Sequence, residues 1–217
     1  MTEEIPGRAT LVPLMTDPRG QAAPLDLTHS AHLAVVSHAG RGATSALRLL
    51  AAHLAAHGLA VDVATARPQE WAGLAVDGGI WPSGSAAAAG LMIEAFVDEM
   101  RQAFATERGE GQLPDARRRV LVVDAVDRLL DQAPDPAALL RRLEETAFLG
   151  RGAGYHLALS TRPDAAGRLG PVLDCSAVLT LAPAGARGEA WFAYDQAPAR
   201  VRVPFLGMEA ARELLGL

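Results

Sequence analysis

Residues 32–50 read HLAVVSHAGRGATSALRLL, an apolar run that passes through a glycine-bearing loop into helical periodicity. Leu33–Ser37 carry no charge and are bounded by His32 and the loop, the pattern of a strand buried on both faces. Beyond Thr44, Leu47, Leu50, Ala51 and Leu54 recur at helical spacing as far as Gly58, where a helix stops. The same alternation continues along the chain. Segments 59–65, 120–125, 155–160, 177–182 and 189–195 read as strands, and 44–57, 85–107, 135–152 and 207–215 as helices. Asp135 caps the third of these helices, with Pro136 at its first position. Apolar strands alternating with helices imply a mainly parallel sheet flanked by helices on both faces. Residues 1–24 are proline-rich and weakly patterned, an extended lead-in or edge strand, which leaves 25–217 as one α/β domain. A chain of 217 residues has room for one sizeable core, and no linker or repeat divides it.

The loop invites comparison with G-x-x-x-x-G-K-[ST], in which backbone N–H groups and a helix N-terminus hold phosphates. In that pattern the lysine reaches the outer phosphates and the hydroxyl holds Mg²⁺. With the second glycine on Gly42, the first falls on Ser37, the lysine on Ala43 and the hydroxyl on Thr44. The vestigial nucleotide-binding set is therefore Gly40, Arg41, Gly42, Ala43, Thr44 and Ser45. The companion motif is an apolar strand ending in Asp-Glu, and VLVVDA supplies Asp124 but puts Ala125 at the glutamate. Both catalytic groups are alanine, so no residue is assigned a catalytic role and loss of ATP hydrolysis is expected. Any Mg²⁺ would be held through Thr44 and Asp124. A hydrogen bond to a charged group contributes roughly 1.5–3 kcal/mol, so the missing lysine costs about 10- to 150-fold in nucleotide affinity. ATP with Mg²⁺ is accordingly expected to bind weakly if it binds. All 20 basic residues are arginine, so no lysine elsewhere in the chain replaces the missing one. Arg41 lies two residues early for a substitute and reads equally as a solvated loop residue or an intersubunit contact.

Further residues carry weaker signals. His53 and His57 have a zinc-compatible spacing, but HLAAH lacks the glutamate of a zinc protease and no third ligand is evident, which favours a plain helix face. Asp127 reads as a helix-start acid, with a share in Asp124's role as the alternative. Arg117, Arg118 and Arg119 form a basic run that suits a solvated loop or contact with an anionic or subunit neighbour. Arg162, after the fourth strand of the series, is the candidate for a residue facing the nucleotide edge or the next subunit. Trp71 and Trp81 fall in a connection, where core packing competes with a role in partner binding. Cys175, the only cysteine, reads as a small buried residue. A net charge of −5 disfavours a free-standing nucleic-acid binder. No apolar run approaches the roughly 18 residues of a membrane span, and the acidic N-terminus lacks a signal core, so a cytoplasmic protein is expected.

Five segments in order resemble the motor domain of FtsK/SpoIIIE-type P-loop ATPases, and more closely the tandem, often degenerate modules of EccC from type VII secretion. They are DPRGQAAPLDLTHSAHLAVVS, GRGATSALRLLAAHLA, LVVDAVDRLL, GRGAGYHLALSTRP and PARVRVPFL. The fourth is similar to the sensor strand GxHLxLATQRP of the pumps, with its glutamine missing. The resemblance covers roughly residues 25–205 and implies a RecA-like P-loop NTPase fold, ring or tandem assembly, ATP, and a DNA or polypeptide substrate. Every departure falls on chemistry: Ser37, Ala43, Ala125 and the sensor glutamine. The expectation is thus a pseudo-ATPase that serves as a subunit or partner-binding module of a DNA- or protein-translocating machine, in the cytoplasm, either free or docked to a membrane-bound machine. The alternative is an active FtsK-type translocase with an unorthodox nucleotide site. The fold further predicts strands 32–37 and 120–125 side by side, with Gly40–Thr44 at their carboxyl ends.

Overall fold

A computed structural model describes residues 10–75, 79–110 and 118–217, with backbone alone over 107–110. An edge hairpin comes first: β1 (Leu11–Thr16) and β2 (Ala22–Asp26), followed by a short α1 (Leu27–Ser30). Next are β3 (Leu33–Val36), α2 (Ala43–Ala56), β4 (Ala60–Thr65), β5 (Ile80–Pro82) and the long α3 (Ala86–Glu110). β6 (Arg119–Asp124) leads into α4 (Val126–Gln132) and α5 (Pro136–Ala153), then β7 (Tyr155–Thr161) and α6 (Gly170–Asp174). The chain ends with β8 (Ala177–Leu181), β9 (Glu189–Ala193), β10 (Ala199–Arg202) and α7 (Met208–Leu214).

All ten strands join one sheet in the order β2-β1-β10-β9-β8-β3-β7-β6-β4-β5. From β8 to β5 every pairing is parallel, and from β8 to β2 every pairing is antiparallel. One expectation needs correction. β3 and β6 are not neighbours, because β7 lies between them and pairs with both. The first strands, β1 and β2, lie at one edge of the sheet, and β2 runs across residue 24. Val12, Leu14, Met15 and Leu25 are fully or almost fully buried there. The signal was weak because the pairing slips between Val12 and Met15, around Pro13, and this interrupts the alternation.

Strand alternation builds two cores. Val61, Val63, Val120 and Val122 face α2 and α7, whereas Leu121, Val123, Leu157 and Leu159 face α3, α4 and α5. The basic run before β6 is likewise structural where it is described. Arg119 bonds Asp62 at 2.6 Å and pairs with Glu99, fixing the start of the strand; Arg117 lies outside the described residues.

A buried histidine pair ties the amino ends of β3 and β7 together. His32 Nε2 donates to the Ala147 carbonyl at 3.1 Å while Nδ1 accepts the Leu157 N–H at 3.0 Å, and His156 Nδ1 donates to the Ala31 carbonyl at 2.8 Å. Burial, and then the neighbouring His156, push His32 down to about 4. The bonding pattern requires neutral His32, so the unfolded chain takes up protons first as pH falls. Stability is complete above pH 6.5 and is lost progressively as pH drops toward 4. Urea unfolding at pH 5, still above most carboxylate titration, should give a free energy about 2 kcal/mol below that at pH 7.5. An unchanged value would contradict the assignment.

Candidate functional site

The site lies at the carboxyl ends of the parallel strands. After β3 the chain turns through Gly40 (φ 74°) and Gly42 (φ 107°), both left-handed, and α2 starts at Ala43. A Cβ at either glycine would meet nothing within 4 Å, so the backbone conformation, not space, calls for glycine. Gly42 caps α2 without any side-chain bond, which leaves the helix dipole directed at this end. The loop and the start of α2 line a cleft of about 340 Å³, closed on other sides by Arg67, Ala125, Asp127 and Arg162.

Asp124 lies behind the lining of the cleft, fully buried at the end of β6. Its Oδ1 accepts the Ser160 hydroxyl at 2.8 Å, and its Oδ2 accepts the Trp71 indole N–H at 3.1 Å. The Thr44 hydroxyl donates across both oxygens at 3.2 Å. One terminal nitrogen of Arg67 then closes the cluster, donating to Asp124 Oδ2 at 3.2 Å and to the Thr44 hydroxyl at 2.9 Å. Two sequence distances of 57 and 80 residues are thereby joined in one contact. Although β7 separates β3 from β6, the loop and α2 carry Thr44 across its end to Asp124.

The residues present do not fit Mg²⁺–ATP. A Mg²⁺ ion demands oxygen ligands at about 2.0–2.1 Å in near-octahedral geometry. Thr44 and Asp124 would have to turn toward it, and both already accept a bond from the Arg67 guanidinium, itself a cation. Two unit charges 4 Å apart repel by about 4 kcal/mol at an effective dielectric of 20, and a divalent ion doubles that. Arg67 thus stands in the metal's place. At 125 the backbone keeps an uncommon left-handed conformation (φ 58°, ψ 59°) beside the cleft, yet it presents only a methyl group. Ser160 accepts the Ala125 N–H at 2.8 Å and so fixes that turn.

The other sequence-derived candidates divide between cleft and scaffold. Gly40, Gly42, Ala43 and Thr44 line the cleft. Arg41 does not reach into it as a substitute cation: its Nε donates to the Ala182 carbonyl at 2.8 Å and a terminal nitrogen to Gly185 at 3.2 Å, which anchors the β8–β9 turn. The Ser45 hydroxyl also lines the cleft but exchanges bonds with the Leu206 backbone, 3.0 Å as donor and 2.7 Å as acceptor. Arg162 lines the cleft and lies 2.8 Å from buried Asp127 in the first turn of α4. Trp71 is in the core and not on a surface connection, whereas Trp81 and Trp191 are part-exposed at distant strands β5 and β9. His57 Nδ1 bonds the His53 carbonyl at 2.7 Å, and no group of three potential metal ligands occurs among the described residues. Cys175 is half-buried, packed beside the second core.

Arg67, Trp71 and Ser160 escape a motif search because none of them lies in a phosphate-loop pattern. The available signal was positional: Arg67 follows the strand 59–65 by two residues, and Thr65 pairs with Asp124 in the sheet. A cation just past the end of a strand adjacent to the acidic one is placed to reach its carboxylate.

No family model and no curated protein matches the chain. Solved structures do. The cytoplasmic domain of the type VII secretion ATPase EccC of Thermomonospora curvata superposes with TM-score 0.75 at 19% identity, over 99% of this chain and 32% of that one. The pCW3 conjugation coupling protein TcpA, in its monomer form with ATPγS, gives TM-score 0.79 at 16% identity, over 99% of this chain and 71% of that one. EccC ATPases 2 and 3 of the same Thermomonospora, in complex with a signal sequence peptide, give 0.72 at 16%, over 91% and 41%. The chain therefore has the fold of the P-loop ATPase domains of secretion and conjugation machines, and spans about a third of the EccC cytoplasmic domain. No helix among the described residues is long and apolar enough to cross a membrane.

Proposed function

We propose that this chain is a pseudo-ATPase module, a subunit or partner-binding part of a machine that translocates protein or DNA, with ATP turnover lost. One observation carries the reading: a terminal nitrogen of Arg67 bonds both Thr44 and Asp124, the two groups that would hold the metal. It is reinforced by alanine at both 43 and 125, where lysine and glutamate would act on the phosphates and the attacking water. Phosphoryl transfer depends on positioning and charge, and this cleft has lost the lysine, the carboxylate and free access to the metal. The fold itself argues for an assembly role, since EccC and TcpA belong to secretion and conjugation systems. That EccC ATPases 2 and 3 take a signal sequence peptide supports a polypeptide partner over DNA, in line with the net charge of −5.

The purified chain is expected to release no phosphate from Mg²⁺–ATP above background, with or without DNA. A coupled phosphate-release assay checks this. Turnover that disappears in Asp124→Ala would overturn the reading and favour an active translocase with an unorthodox site.

A further inference from the structure

We propose that the cleft takes a chain of phosphates without any divalent metal, with Arg67 serving as the cation that the metal would otherwise supply. The inference rests on the non-hydrolysing reading above and names what the same cleft binds. Four arginines line it: Arg48, Arg67, Arg128 and Arg162. Three have acidic partners. Arg48 bonds Glu70 at 2.6 Å, Arg67 bonds Asp124 at 3.2 Å and Arg162 lies 2.8 Å from Asp127. Arg128 is exposed on the rim, and it leaves the cleft with an excess of positive charge. The 14-residue α2 adds its positive end on the same side, through the glycine loop.

Arg67 also keeps donor capacity. A single terminal nitrogen makes both of its bonds, to Thr44 and Asp124, and its buried Nε–H has no acceptor among the described residues. A guanidinium carries five N–H donors in a planar fork suited to phosphate oxygens. The side chain is 29% exposed, so the terminal N–H groups that make no bond are open to a phosphate in the cleft. Metal-bound ATP suits this cleft less well than free ATP. Mg²⁺ neutralises the charge that the arginines attract, and its preferred place is already held by a cation.

Titration calorimetry on the full 217-residue chain tests this with two probes, inorganic tripolyphosphate and ATP, each in EDTA and in excess Mg²⁺. Both probes should bind in EDTA, and Mg²⁺ should weaken binding by tenfold or more. Equal affinity for the two probes would identify the phosphate chain as the whole ligand. Clear preference for ATP would identify a nucleotide held by its phosphates and its nucleoside. Arg67→Gln should lower metal-free affinity at least tenfold and make the residual binding improve with Mg²⁺. Arg128→Gln, on the exposed rim, should lower metal-free affinity several-fold with an unchanged melting temperature, so a folding defect in Arg67→Gln leaves the proposal testable. Binding that requires Mg²⁺, or no binding of either probe in EDTA, overturns it. Failure here with phosphate release still at background leaves the non-hydrolysing reading standing; Mg²⁺-dependent release removes that reading itself.

Discussion

Asp124→Ala is expected to destabilise the fold by about 2–5 kcal/mol, since the buried Trp71 N–H and Ser160 hydroxyl lose their acceptor at about 1–3 kcal/mol each. The direction matters as much as the size. An acid kept for metal chemistry is held in place at some cost to the fold, and its removal is commonly neutral or stabilising. Asp124 is placed differently, because Thr44, Arg67, Trp71 and Ser160 all converge on it. Without the carboxylate, a buried indole N–H and a part-buried guanidinium would lose their acceptor together. Asp124→Asn should cost less, since its amide oxygen still accepts from one or two of the donors. Chemical denaturation of wild type and both variants at pH 7.5 checks the order. Asp124→Ala at or above wild-type stability would show that the network does not hold the fold together.

Ala43→Lys is the second large effect. Restoring the charge-assisted contact should raise affinity for ATP by about 10- to 150-fold. With Arg67 in place, this gain should appear in EDTA. The double variant Ala43→Lys with Arg67→Gln should instead bind ATP best with Mg²⁺, because Thr44 and Asp124 are then free to turn toward an ion. Neither variant should turn ATP over, since residue 125 is still alanine. Calorimetry with and without Mg²⁺ reads both outcomes. A strict Mg²⁺ requirement in Ala43→Lys with Arg67 intact would show that Arg67 yields readily to the metal.

How far the sequence reveals this site follows from which interactions are local. The strand–loop–helix at 33–56 is encoded in consecutive residues, so the loop, its glycines and the missing lysine are visible directly. Asp124 is visible for the same reason, at the end of an uninterrupted apolar run. The insertion of β7 between β3 and β6 is not, because strand order is settled by pairings more than 100 residues apart. Arg67 is hidden by the same fact. It acts on Asp124 only because β4 is the neighbour of β6, and it sits in a connection that resembles no motif. Arg41 is the converse case: it lies inside the phosphate loop in sequence, yet its bonds go to Ala182 and Gly185. β1 escaped firm recognition through its irregular pairing, and α6 (Gly170–Asp174) and β5 (Ile80–Pro82) because they are too short to show a period.

Arg67 differs from a metal ion at this position in one further respect: it is tethered. A diffusing ion occupies its ligands according to its supply, and leaves when chelators or competing nucleotides draw that supply down. A side chain held beside its partners has an effective concentration set by the fold and unaffected by the surroundings. On the pseudo-ATPase reading, the cation beside Thr44 and Asp124 therefore does not vary with the supply of magnesium.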